Sequence, residues 1–363
     1  MRDTEAPVPP LQRRLLHFST SAARRIARSP LVRSVLRFLA VPLVRIVLRL
    51  GVSGGLLAWL ISVSREEISS LDLGSKSAAA AWLVAATAAI AIAFFMASAR
   101  WWHVAHTLGV GVSCRSMLSI YLAAQFVGNF LPTAIGGDVL RINRLGRMCG
   151  SRANAFATVI IERLTGWIVL PIFTLAALTL QPSLLRHSGG QIAGALALGT
   201  LLILALVVWF AEHPRGLGRL SGGSHIRDWL GAVHTGLTVF RRHRSAAGRL
   251  LGIGFAYQFL LVLATALAGA AIGANPGLLA WFAFAPMVLI VQNLPVAIGG
   301  LGVRETALVL FLDAHGVNEG QAVLLGLLLY ALTLLVSLSG APTLALGGHR
   351  ERAEAAAEVP AGR

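Results

Sequence analysis

Leu131-Pro132-Thr133-Ala134-Ile135-Gly136-Gly137, with Arg141 following, recurs as Leu294-Pro295-Val296-Ala297-Ile298-Gly299-Gly300, with Arg304 following, at a constant offset of 163 residues. Each copy closes an apolar run, 117–135 and 278–298, that is long enough to enter a bilayer. Proline removes a backbone donor and clashes with the turn before it, so a helix must break there. Gly-Gly allows positive φ and close backbone approach. Broken backbone inside a membrane survives only where protein or water satisfies its amides and carbonyls. The duplicated break decides the fold if the chain lies in a membrane.

Composition places it there. Of 363 residues, 56% are hydrophobic and 13% charged, with 38 glycines besides; a soluble domain carries about 25% charged residues. Mean hydropathy is +0.74. No water-soluble chain of this size hides that much apolar surface in one core, so the expectation is an all-α polytopic membrane protein. Thirty-one basic against 15 acidic residues give a net charge of +16. In this class the excess reads as basic cytoplasmic loops and attraction to anionic headgroups. Zinc-finger, RNA-binding and basic-zipper patterns are missing, so no nucleic-acid partner is expected. Two cysteines, Cys114 and Cys149, cannot make a disulfide framework.

Working outward, residues 1–43 form a basic arm in which Arg33/Arg37 lie on one helix face, as do Arg45/Arg49 at the start of the first span. The arm reads as an interfacial amphipathic helix on anionic lipid headgroups. Its basic region is too long for a signal peptide. Spans are expected at 44–63, 78–99, 155–180, 192–211, 250–273 and 321–346, about six in all. Loop charge orients them. The arm is inside; 64–77 is acidic and outside; Arg100 and Arg115 mark the next loop inside. Arg141, Arg144, Arg147 and Arg152 follow the first break, also inside. A segment with both ends on one side does not cross, so 117–135 is read as re-entrant. The loop 212–249 is basic and inside, whereas the second break is followed by Arg304, Glu305, Asp313 and Glu319 and reads as outside. The stretch 278–298 then dips from the opposite face, and both termini are cytoplasmic. Repeat 1 (about 78–180) and repeat 2 (about 250–346) thus form an inverted repeat within a membrane domain at 44–346, and 347–363 is a flexible tail. Paired interruptions in corresponding halves point to a transport site.

Candidate site residues cluster at the breaks. Gln125 and Asn129 precede Pro132, Gly136 and Gly137; Gln292 and Asn293 precede Pro295, Gly299 and Gly300. Their amides suit headgroup hydroxyls or phosphates, or satisfy the broken backbone. Freed amides at a new half-helix N-terminus suit phosphate. Glu162 and Arg163 lie inside a span, where an ionisable pair is costly and marks either a site or an interfacial lock. Asp138 and Arg141 follow the first turn, Arg304 and Glu305 the second. Arginine grips phosphate bidentately, so Arg141 and Arg304 are the expected headgroup clamps. The competing readings are positive-inside anchoring for Arg141 and a local ion pair for Arg304. Trp101-Trp102-His103 with His106 reads as an interfacial aromatic belt, not a metal site, and Tyr257 and Trp281 as belt or lipid contacts. No metal, nucleotide or nucleophile motif occurs, so no cofactor is expected.

The three motifs Phe130 to Arg141, Glu162-Arg163-Leu164-Thr165-Gly166, and Leu294 to Glu305 resemble, in that order, the signature of the lysylphosphatidylglycerol synthase transmembrane (flippase-like) family. The resemblance covers roughly residues 50–346. It implies an inner-membrane protein that moves a lipid between leaflets; in bifunctional members the membrane part translocates aminoacylated phosphatidylglycerol, and a soluble domain after it is the synthase. This sequence ends at Arg363, soon after the last expected span, so a non-enzyme is expected. The function expected is transport of a phosphate-bearing lipid, aminoacylated or isoprenoid-linked, with a separately encoded transferase as a candidate partner. The alternative is a membrane-embedded enzyme or accessory subunit acting on lipid-linked substrates.

Overall fold

The computed structural model describes residues 76–130, 135–213, 224–293 and 300–343. The basic arm, the expected span 44–63, Pro132, Pro295, Gly299 and the tail lie outside the described residues. Among those described the chain is all-α with no strand. Its helices are α1 (Lys76–Thr107), α2 (Cys114–Phe130), α3 (Ile135–Met148), α4 (Arg152–Leu180), α5 (Ser188–Glu212), α6 (Ser224–Arg242), α7 (Arg244–Ala271), α8 (Leu278–Gln292), α9 (Val303–Leu312) and α10 (Glu319–Ser337). Five of them (α1, α4, α5, α7 and α10) are long and apolar enough to cross a membrane. This is a multi-pass membrane protein. The remaining expected span lies in the undescribed region.

Side-chain chemistry sets several helix ends. Ser151 accepts the Asn154 amide at 3.2 Å to start α4. Asn318 accepts the Gln321 amide at 2.8 Å, and Gln321 accepts the Asn318 amide at 3.2 Å, a reciprocal cap on α10. Each apolar stretch that ends in a break carries a helix that is followed by a second helix: α2 by α3, and α8 by α9. The two halves of each lie side by side. A Cβ on Gly137 of α3 would stand 2.7 Å from the Ala124 carbonyl oxygen of α2. Gly300, at φ +77°, brings the chain back against Gln292, where a Cβ would lie 2.9 Å from that residue's own. Glycine is required at both places, at Gly137 by space and at Gly300 by conformation as well.

The order span, half-helix, half-helix, span occurs twice: α1 to α4, and α7 to α10. The copies pack in antiparallel pairs. A His103 ring nitrogen near the end of α1 lies 3.0 Å from the Ala246 carbonyl near the start of α7. This seam is rich in small buried residues, including Ala86, Ala93, Ala97, Ala264 and Ala268, which let helix backbones approach closely in lipid. The first half-helix of each hairpin runs along the closing span of the other copy. Asn129 of α2 donates to Ser337 of α10 at 2.8 Å, and Thr343 beyond α10 donates to the Ser119 carbonyl of α2 at 3.2 Å. Thr174 of α4 donates to the Ala283 carbonyl of α8 at 2.8 Å. Thr174 and Ser337 are themselves separated by the repeat offset of 163 residues. Exchange of half-helices between oppositely directed copies is the geometry of an inverted repeat.

Three expectations change. Arg100 is not in a loop: α1 continues to Thr107, and Arg100 is buried within it. Of the four arginines assigned to the loop after the first break, Arg147 and Arg152 are exposed, whereas Arg141 and Arg144 are buried on α3. The basic stretch 212–249 is largely helical. Val233 and Phe240 of α6 are buried, the former beside Ile160 and Leu164 of α4 and Val207 of α5, while Arg241 pairs with Glu212.

Candidate functional site

The charged residues singled out in the first copy meet at one point. Glu162 projects from α4, and one carboxylate oxygen pairs with Nη2 of Arg100 from α1. The other accepts from Nη2 of Arg141 on α3 at 3.0 Å. Arg141 also reaches Asp138 at 3.3 Å, and Asp138 pairs in turn with Arg163. Each carboxylate is therefore held by two guanidiniums. Arg100, Arg141 and Glu162 are 4%, 5% and 3% exposed, and an isolated charge buried that deeply is untenable without such partners. Aromatic faces complete the shell: Arg141 lies over Trp101 at 4.2 Å and Tyr121 at 5.2 Å, and Arg100 over Tyr257 at 4.8 Å.

The aromatic-belt reading of Trp101 is overturned. Its ring is fully buried, and Nε1 donates to Thr158 at 3.0 Å. Trp281 is buried as well, packed over Gly269. Tyr257 faces Arg100. Trp102 donates to the Val112 carbonyl at 3.1 Å and contacts His106, so that pair serves a helix end. Among the described residues, no cluster of three His, Cys, Asp or Glu side chains could hold a metal.

In the second copy Arg304 donates to Glu305 at 2.7 and 3.2 Å and lies 5.6 Å from the Tyr330 ring. Glu305 is fully buried and accepts the Gly302 amide at 2.6 Å. The start of α9 thus meets its own carboxylate, and Asp138 takes the corresponding first-turn place on α3. The free helix N-terminus expected to receive phosphate at the second break is already occupied by protein. Guanidiniums and side-chain amides are what remain for a ligand.

Those groups line two adjoining cavities between the hairpins. One, about 230 Å³, is bordered by Gln125, Asn129 and Arg163 from the first copy and Gln292, Asn293, Gly300 and Arg304 from the second. The charged side chains on its described wall are both arginines. The other, about 240 Å³, is bordered by Arg100, Asp138, Arg141, Glu162, Tyr121, Tyr257 and Gln258. Gln125, Arg163, Gln292, Asn293 and Thr333 border both. Asn129 and Asn293 border the cavities and also satisfy structure, through Ser337 and through the Leu289 carbonyl at 2.6 Å. Gly136 sits in the first turn of α3, and Gly137 closes the hairpin.

The structure adds Arg100, Tyr121, Tyr257 and Gln258 to the residues found by sequence. For Arg100 the signal was present: Trp101, Val104 and Ala105 continue the apolar pattern after it at helical spacing. A family model described as Lysylphosphatidylglycerol synthase TM region matches residues 46–340, most of the chain, and so shows the family that the three motifs resemble. No curated protein matches the chain.

Proposed function

We propose that this chain, which belongs to the lysylphosphatidylglycerol synthase TM-region family, moves a phosphate-bearing lipid between the leaflets of the inner membrane. The headgroup passes through the cavities between the two hairpins while the tails stay in lipid. The hairpins act as re-entrant elements that enter from opposite faces, with both termini cytoplasmic. One observation carries the reading: the 230 Å³ cavity is built from both copies of the repeat, and the charged residues on its described wall are Arg163 and Arg304. Ionisable groups inside a membrane domain mark a substrate path, and guanidiniums match phosphate geometry. Arg304 holds the phosphate on one side, and Arg163, shared by both cavities, receives it on the other. The chain itself makes no bond; the lipid reaches it from a separately encoded transferase or directly from the membrane.

The test is reconstitution of the full chain in proteoliposomes containing fluorescent phosphatidylglycerol, with leaflet exchange followed by chemical quenching of the outer leaflet. Exchange above that of empty liposomes is expected, and Arg304→Ala is expected to slow it by at least about tenfold. Exchange no faster than in empty liposomes contradicts the reading. A covalently altered lipid product would favour an enzyme instead.

A further inference from the structure

We propose that a second lipid site lies on the opposite face of α4, where one anionic phospholipid of the surrounding bilayer is held, by an acyl chain and by its phosphate, without being moved. A cavity of about 160 Å³ is bounded there by α4, α5, α6 and α7. The helix α4 turns Glu162 and Arg163 to the cavity between the hairpins and Ile161, Leu164 and Ile168 to this one. The two cavities have no described lining residue in common.

The wall of this cavity is hydrocarbon. Among its lining residues only Thr165 carries a polar side chain, and that hydroxyl already donates to the Glu162 carbonyl at 2.8 Å. An apolar void stays dry, and one of about 150 Å³ accepts a hydrocarbon the size of benzene. Leu204 stands eight residues before the end of α5, and Leu251 seven after the start of α7. At 1.5 Å per residue the void therefore reaches about 10–12 Å below the helix ends. Leu251 on its rim is 38% exposed. The helices α4, α5 and α7 are long and apolar enough to cross a membrane, so the hydrocarbon next to that rim is lipid tail.

Charge selects the headgroup. Phe240 and Ala247 line the void, and between them α6 gives way to α7 at a corner holding Arg241, Arg242 and Arg244, with Arg249 further along α7. All four are exposed, and among the described residues the one that pairs with an acid is Arg241, with Glu212 at the end of α5. No acidic residue occurs between Asp228 and Glu305 in the sequence. Trp209, 53% exposed and stacked on His213, stands at the same end of α5, as aromatic residues do at headgroup level. The basic arm at 1–43 has the wrong charge for this corner; the phosphate of an anionic lipid has the right one.

The experiment follows the Tm of the full chain in detergent as dioleoyl phosphatidylglycerol, dioleoyl phosphatidylcholine or glycerol 3-phosphate is added, with an apparent affinity taken from each rise. Phosphatidylglycerol is expected to bind at least about tenfold more tightly than phosphatidylcholine, and glycerol 3-phosphate, which has no chain, not measurably. Joint Arg242→Gln and Arg244→Gln substitution is expected to weaken phosphatidylglycerol by about fivefold per arginine and to abolish its advantage. Ala247→Phe, which fills the void, is expected to weaken both lipids by at least about tenfold. No lipid binding, equal affinity for the two lipids, or glycerol 3-phosphate binding as tightly as phosphatidylglycerol overturns the proposal. Unchanged affinity in either variant overturns it as well, and the arginine variant, altered at exposed positions, decides the matter if Ala247→Phe does not fold. Stability that depends on residues 347–363 and not on added lipid assigns the corner to the tail and overturns it too. Leaflet exchange through the hairpins is read separately in proteoliposomes, and its loss or persistence leaves these outcomes as they stand.

Discussion

Glu162 holds together three elements that the chain supplies far apart: Arg100 from α1, Arg141 from α3 and its own α4. Removing its charge leaves two buried guanidiniums unbalanced. Glu162→Gln is therefore expected to destabilise the protein by about 3–5 kcal/mol, seen as a lower Tm in detergent; an unchanged Tm contradicts this account of the cluster. Arg163, half open to the cavity, should cost about 1 kcal/mol or less when neutralised, which separates the site's function from its structure. Outside the spans, burial and the neighbouring His187 hold the His315 imidazole below its usual value. A histidine kept neutral by the fold lends stability above about pH 6.5, lost as pH falls through the folded value. The fall in Tm between pH 7.5 and pH 5 should be smaller in His315→Gln than in the parent; equal falls would show that His315 does not contribute. Arg141, Glu162, Arg163 and Arg304 were legible because charges are rare in apolar segments. Arg100 was passed over because an arginine at the end of an apolar run reads first as a loop anchor, although Trp101, Val104 and Ala105 carry the helical pattern beyond it.

At the scale of elements, the hairpins depend on how closely two half-helices can approach. The Gly137 contact leaves no room for a methyl group, since the atom it would meet is backbone. Gly137→Ala is expected to cost about 1–3 kcal/mol. Gly199 of α5 has nothing within 4 Å of such a group, so Gly199→Ala should instead stabilise by about 0.5–1 kcal/mol through helix propensity. Opposite shifts in Tm for these two variants are the outcome to check; a fall with Gly199→Ala as large as with Gly137→Ala would contradict the packing argument. That each stretch carries two helices was readable from the duplicated motif, although Gly136 and Gly137 fall inside α3 rather than between the helices. That α9 would meet its own carboxylate was only half readable. Glu305 stands three residues after Gly302, the spacing at which a first-turn carboxylate reaches back to the cap amide, but without a Ser or Thr at Gly302 the reciprocal pattern is incomplete.

For the whole molecule, the repeat in sequence becomes an exchange in space, with α2 lying along α10 and α8 along α4. Loop charges give the expectation of opposite directions for the two copies, because an odd number of expected crossings separates them. They could not foresee the exchange, which follows from side-chain contacts 109 to 224 residues apart. Nor could they show α6 as a helix, since a basic stretch with spaced apolar residues reads equally as a loop until Val233 and Phe240 find a surface to cover. One cavity bordered by both copies is useful for alternating access only if the hairpins enter from opposite sides. Membrane-impermeant maleimide labelling tests this directly, in a Cys114→Ser, Cys149→Ser background carrying either Gly111→Cys before α2 or Ala314→Cys after α9, both at exposed positions. The expected result is labelling of the two sites from opposite faces of the membrane; labelling of both from the same face would contradict the inverted arrangement and the shared headgroup path with it.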